Sequence, residues 1–205
     1  MGASPLTLVV AAVACVLFAR GIRRLRIRRP AYASWGRALL FGLAVAAGLI
    51  ALSAPLNELA EASLSAHMLQ HVLLADVVPA LMLVAVRGPL LFFVVPEFLL
   101  RAVSHSSHAR AVLSAVTRPL VAFGLWAGAL ALWHVPAAYE ATLTSELLHV
   151  LEHASFVVVG TLAWIQVVNP AQRGVLGTIG RLGFLLGMFV VGQMLATTLV
   201  LSPGA

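Results

Sequence analysis

His67-Met68-Leu69-Gln70-His71 and its near-copy His149-Val150-Leu151-Glu152-His153 decide how this chain reads. Each has histidines at i and i+4, a serine four residues ahead of the first histidine (Ser63, Ser145), and a long apolar continuation. In a helix such positions stack on one face, about 6 Å apart in rise. Each stretch can therefore offer two imidazoles to one ion or cofactor, and each is half of a site.

The setting of these stretches is apolar. The 205 residues are 61% hydrophobic and 10% charged, against about 45 to 50% and about 25% in soluble domains. The chain reads as an integral membrane protein. A pI of 11.3 would suggest nucleic acid for a soluble protein, but here the basic residues are all arginine and fall between apolar segments. They report topology, and no nucleic-acid partner is expected. The single cysteine, Cys15, rules out an intrachain disulfide and reads as a small buried apolar residue. Met1 to Pro5 lacks a basic leader region, so the first apolar segment is expected to be retained.

Windows of about 20 residues predict one transmembrane domain over 1–205, with spans at 5–22, 37–55, 64–86, 118–136, 147–168 and 178–201. The expected fold is all-α, a polytopic membrane helical bundle of six transmembrane helices. The arginines at 20, 23, 24, 26, 28, 29 and 37 assign the first connection to the cytoplasm by the positive-inside rule. Arg87, Arg101, Arg110, Arg118, Arg173 and Arg181 then fall on the same side, while Asn57, Glu58, Glu61, Glu140 and Glu146 lie outside. Both termini are thereby expected to be extracytoplasmic. The stretch 89–100 is too short to cross, is broken by Pro96, and is predicted to be a short cytoplasmic interfacial helix. Pro79 should kink the third span or free a backbone carbonyl. Trp35, Trp133 and Trp164 suit aromatic belts at the interfaces.

Orientation sorts the histidines. His67 and His71 come about 4 and 10 Å below the outer start of the third span, and His149 and His153 about 3 and 9 Å below that of the fifth. His134, in Trp133-His134-Val135-Pro136, closes the fourth span at the same surface, whereas His105 and His108 fall in the inner loop. Polar groups at membrane depth normally pair, bind something or line a pathway. Two pairs at matched depth favour a bound metal or cofactor over interhelical hydrogen bonds, which average only about 0.6 kcal/mol in membranes.

Imidazoles suit copper, zinc, nickel and iron, and a thioether shifts the choice toward copper. Met194, in the outer half of the sixth span, is a candidate soft ligand; Met68 is more simply a packing residue. Gln70 and Glu152 occupy equivalent places and are candidates to hold the imidazole tautomers from behind. Asp76, near mid-membrane and about 180° around a regular helix from His67, reads as a protonated acid bonded to a neighbouring helix or as a proton or ion step.

At these residues the sequence resembles the multi-spanning CtaG-type cytochrome c oxidase assembly factors of bacteria. The resemblance rests on His67 to His71 with Pro79 and Gly88-Pro89, on Leu132 to Pro136 with Tyr139, and on Leu148 to His153 with Phe156, Gly160 and Trp164, over about residues 37–170. It implies a multi-pass protein of the bacterial plasma membrane that helps deliver copper to the oxidase from the extracytoplasmic side. Cytochrome c oxidase subunits or another copper carrier would be its partners, and a homo-oligomer is compatible with it. The family commonly runs one span further, whereas Ser202 to Ala205 directly follow the sixth span here, and Asp76 replaces a usually apolar residue.

The leading expectation is a non-enzymatic copper site made by His67, His71, His134, His149, His153 and Met194. An alternative is a b-type haem protein with the same histidines as axial ligands and Gly160 making room for a macrocycle. A third is an intramembrane zinc peptidase, since His149-Val-Leu-Glu152-His153 matches H-x-x-E-H.

Overall fold

The computed structural model of the chain describes residues 3–201, so Ser202 to Ala205 lie outside the described residues. It is 85% helix, and no strand occurs among the described residues. Helix α1 (Pro5–Arg28) starts at a Ser4 cap, whose hydroxyl accepts from the Thr7 amide, and runs six residues beyond the expected end of the first span. Arginine is a good helix former, so the helix continues where hydropathy stops. Helix α2 (Trp35–Ala51) ends ahead of Ser53-Ala54-Pro55, four residues short of expectation.

A short helix α3 (Leu56–Ala62) precedes the long element 64–86. That element joins α4 (Leu64–Val72), a π-helical turn (Leu73–Val77) and α5 (Val78–Val86). Its π turn has a cause in the sequence. Pro79 has no N–H to give to the Ala75 carbonyl four residues back, and the Val78 amide instead bonds Leu73 O, five residues back. The proline thus loosens one turn without breaking the helix.

Gly88 then turns the chain with φ 77 into α6 (Pro89–Val94). The single interfacial helix expected over 89–100 is two helices, because Val95, extended before Pro96, interrupts it. Helix α6 is also not a free surface element: Leu90 is fully buried, and α6 lies so close to α1 that a Cβ on Gly21 would overlap the Val94 side chain. Beyond the break, α7 (Glu97–His105) and α8 (Ser107–Val116) bury nothing, and they carry His105 and His108 exposed.

Helix α9 (Pro119–Trp133) meets α8 at a 70° bend. The short α10 (Pro136–Thr144) leads into α11 (Glu146–Val168), and α12 (Thr178–Leu201) closes the described chain. Four of these elements are long and apolar enough to cross a membrane: α1, 64–86, α11 and α12 up to Leu199. A fifth results if α8 and α9 form one bent span, and α2, at 17 residues, is shorter than the rest.

The ends of the elements line up in two layers. At one end, Arg37 of α2 donates to the carbonyls of Ala85 and Arg87 at 2.9 and 2.7 Å, satisfying acceptors that the end of α5 leaves open. Gln166 of α11 reaches Thr117 O at 3.0 Å, tying α11 to the α8–α9 bend. Here Phe18 and Phe41 stack at 4.0 Å over Leu25, Ala85, Val86 and Leu90. Cys15 is exposed on α1, contrary to the buried reading, because it lies outside the cluster that holds Phe18 and Leu25. The opposite end, where α2 finishes and α4 and α11 begin, holds His67, His71, His134, His149 and His153.

Candidate metal centre

Helix α4 presents His67 and His71 on one face, and α11 presents His149, Glu152 and His153 toward it. Packing brings the two faces together because α11 crosses the loosened turn with no side chain between them. A Cβ on Gly160 would fall on the Ala75 carbonyl, the acceptor that Pro79 cannot serve. The space at Gly160 is therefore filled by backbone, and the room expected there for a macrocycle is taken.

Glu152, expected behind the imidazoles, stands among them. It is fully buried, with Oε1 3.3 Å from His71 Nε2 and 3.7 Å from His67 Nε2. His67 and His71 are each 2% exposed and His153 8%. The ring centroids of His67 and His71 lie 4.2 Å apart, those of His149 and His153 4.3 Å, and those of His71 and His153 6.0 Å. Two triads result, His67-His71-Glu152 and His149-Glu152-His153, each with its ligand atoms within 4.8 Å of one another.

None of these contacts closes into an aligned hydrogen bond. The buried His67 Nε2, His71 Nδ1 and Nε2, His153 Nε2 and both Glu152 oxygens have no hydrogen-bond partner. An unsatisfied buried polar group costs about 1 to 3 kcal/mol. Gathered in one place, the histidine and glutamate side chains form groups that could hold a metal ion, which would take up lone pairs that hydrogen bonds leave unused.

The remaining candidates divide. His134 caps α9 beside the cluster, its ring 5.5 Å from that of His71. Its Nδ1 lies 2.7 Å from Leu130 O, and since a carbonyl only accepts, Nδ1 carries the proton. Its Nε2 faces Met68 Sδ at 3.0 Å, which places a thioether next to the triads. Met68 is therefore the thioether near the site. Met194 is 65% exposed on α12, six residues and about 120° around the helix from the buried Met188. Gln70 does not support an imidazole: its amide donates to Ala51 O at 2.6 Å and Asn57 Oδ1 at 3.1 Å, tying α4 to the end of α2 and to α3.

Two aromatic neighbours complete the site. The Phe156 ring lies 4.3 Å from that of His71, and Tyr139 on α10 stands edge-on to His67 at 5.2 Å. Both belong to the sequence motifs, but no spacing rule assigns them to this wall. Tyr139 comes from a short helix that hydropathy reads as a loop.

Asp76 sits on the π turn, where its Oδ1 accepts from Trp164 Nε1 at 3.0 Å. Trp164 is thus hydrogen-bonded to a neighbouring helix, and Trp133 likewise donates to Ser155 Oγ at 2.8 Å. Only Trp35 stays outward, 80% exposed with the Arg26 guanidinium 5.5 Å from its ring. Asp76, His71 and Met68 border a side-opening cleft of about 630 Å³ between the 64–86 element and α12, floored by Trp126, Trp164 and Met188. In a double-mutant cycle of Asp76→Ala and Trp164→Phe, the coupling should be about 1 kcal/mol in detergent melts. Strict additivity would show that the bond contributes nothing.

A family model described as cytochrome c oxidase caa3 assembly factor (Caa3_CtaG) matches residues 16–205. No curated protein and no solved structure is matched.

Proposed function

The chain belongs to the cytochrome c oxidase caa3 assembly factors, and on that premise we propose that it holds copper in the histidine–glutamate cluster for delivery to the oxidase. One observation carries this reading: the buried nitrogen and oxygen atoms of His67, His71, Glu152 and His153, which lie close together without an aligned hydrogen bond. Imidazole nitrogens bind copper well, and the neighbouring Met68 sulfur favours its softer state. The role is non-catalytic: the residues bind and release an ion and transform no substrate.

Counting α2 and α9 as spans gives six crossings, and arginines at the α2/α5/α11 end put that end in the cytoplasm. The cluster then lies near the extracytoplasmic face with both termini on that side. Copper is exchanged with an oxidase subunit or a copper carrier there. The cleft that reaches Met68 and His71 offers the path.

The test is oxidase metallation in cells that lack this protein and are supplied with either wild type or His71→Ala. With the variant, isolated oxidase should contain less than half the wild-type copper while its polypeptides accumulate. Full metallation with a variant present at wild-type level would refute delivery through this site.

A further inference from the structure

Resting on the metal-site reading above, we propose that the cluster takes two cuprous ions, one between His67 and His71 and one between His149 and His153, bridged by the Glu152 carboxylate. The alternative is one ion shared by all five side chains, and the geometry speaks against it. Ligands of a single ion with bonds of about 2.1 Å lie within about 4.2 Å of one another. The five donors do not form one such group; they separate into two triads that share only Glu152.

The bridging group has the right form. Glu152 is fully buried and both of its oxygens lack hydrogen-bond partners, so each has a lone pair to offer. Oε1 is the atom near His67 and His71, and a Glu152 carboxylate oxygen also lies within 4.8 Å of the ligand atoms of His149 and His153. Each histidine pair comes from successive turns of one helix, with ring centroids 4.2 and 4.3 Å apart, so the two half-sites are near-duplicates.

Charge selects the oxidation state. Ligating imidazoles are neutral, so Glu152 is the one negative charge within the two triads. Two divalent ions would leave a net charge of +3 among residues under 10% exposed at His67, His71, Glu152 and His153, whereas two monovalent ions leave +1. Uncompensated charge is costly in such surroundings. Imidazole nitrogens suit copper, and the Met68 sulfur beside the cluster is a soft donor that favours the cuprous state.

The full-length protein, purified in detergent and loaded anaerobically with cuprous copper against a competing chelator, should retain two equivalents. His67→Ala/His71→Ala and His149→Ala/His153→Ala should each retain one, with helical circular dichroism unchanged. X-ray absorption of the loaded wild type should show copper–copper scattering, a readout that requires no variant to fold. One equivalent in the wild type, none in either double variant and no copper–copper vector would overturn the bridged pair and leave a single shared site. No copper at all in folded wild type would overturn the underlying metal reading as well.

Discussion

Gly160→Ala is expected to cost about 3 kcal/mol of stability, the upper part of the range for forcing one methyl group into a packed interior. Most overpacked side chains meet other side chains, which can turn away. Here the added Cβ meets the oxygen, carbon and Cα of Ala75, all backbone. Relief requires α11 to move off the 64–86 element, and α11 carries His149, Glu152 and His153. The same substitution should therefore reduce copper binding without touching a ligand. Thermal melts in detergent together with copper retention check both effects; an unchanged melt would mean that the two helices do not cross where the structure has them. Gly128, with nothing within 4 Å of an added Cβ, is the matched control and should tolerate alanine.

The second large effect is on affinity. His71→Ala/His153→Ala removes one imidazole from each triad, and His71 also lies 3.3 Å from Glu152 and 4.3 Å, ring to ring, from Phe156. Removing a group that only supports a ligand costs about 10 to 100-fold in metal affinity, so removal of two ligands should cost at least about 100-fold. Chelator competition on the purified protein measures it. Met194→Ala, on the exposed side of α12, should leave affinity within about two-fold. Met68→Ala should weaken it measurably, because Met68 holds the soft contact to His134. Retention of wild-type affinity by the double histidine variant would remove the cluster from any account of this protein.

Several features of the chain are legible before any coordinates. The spans at 64–86 and 178–201 coincide with the observed helices, and 147–168 differs by one residue. Hydropathy succeeds in these because a helix satisfies its own backbone in an apolar run. It gives no separate element for α3, α7, α8 and α10, short helices of mixed polarity that no window of about 20 apolar residues picks out. Nor does it give the partner of Trp164, whose hydrogen bond to Asp76 depends on a neighbouring helix.

By itself the sequence determined that the chain is all-helical, that its long apolar elements suit a membrane, and that two helices each carry a histidine pair on one face. Those properties are local, set by hydropathy and by the 3.6-residue period. Tertiary structure alone decided that the faces meet, that Glu152 joins the imidazoles while Gln70 turns to Ala51, and that Met68 is the nearby thioether in place of Met194. The physical reason is that rotation of one helix against another depends on where backbones can touch. Here that is the Gly160–Ala75 crossing, which no periodicity within either helix encodes.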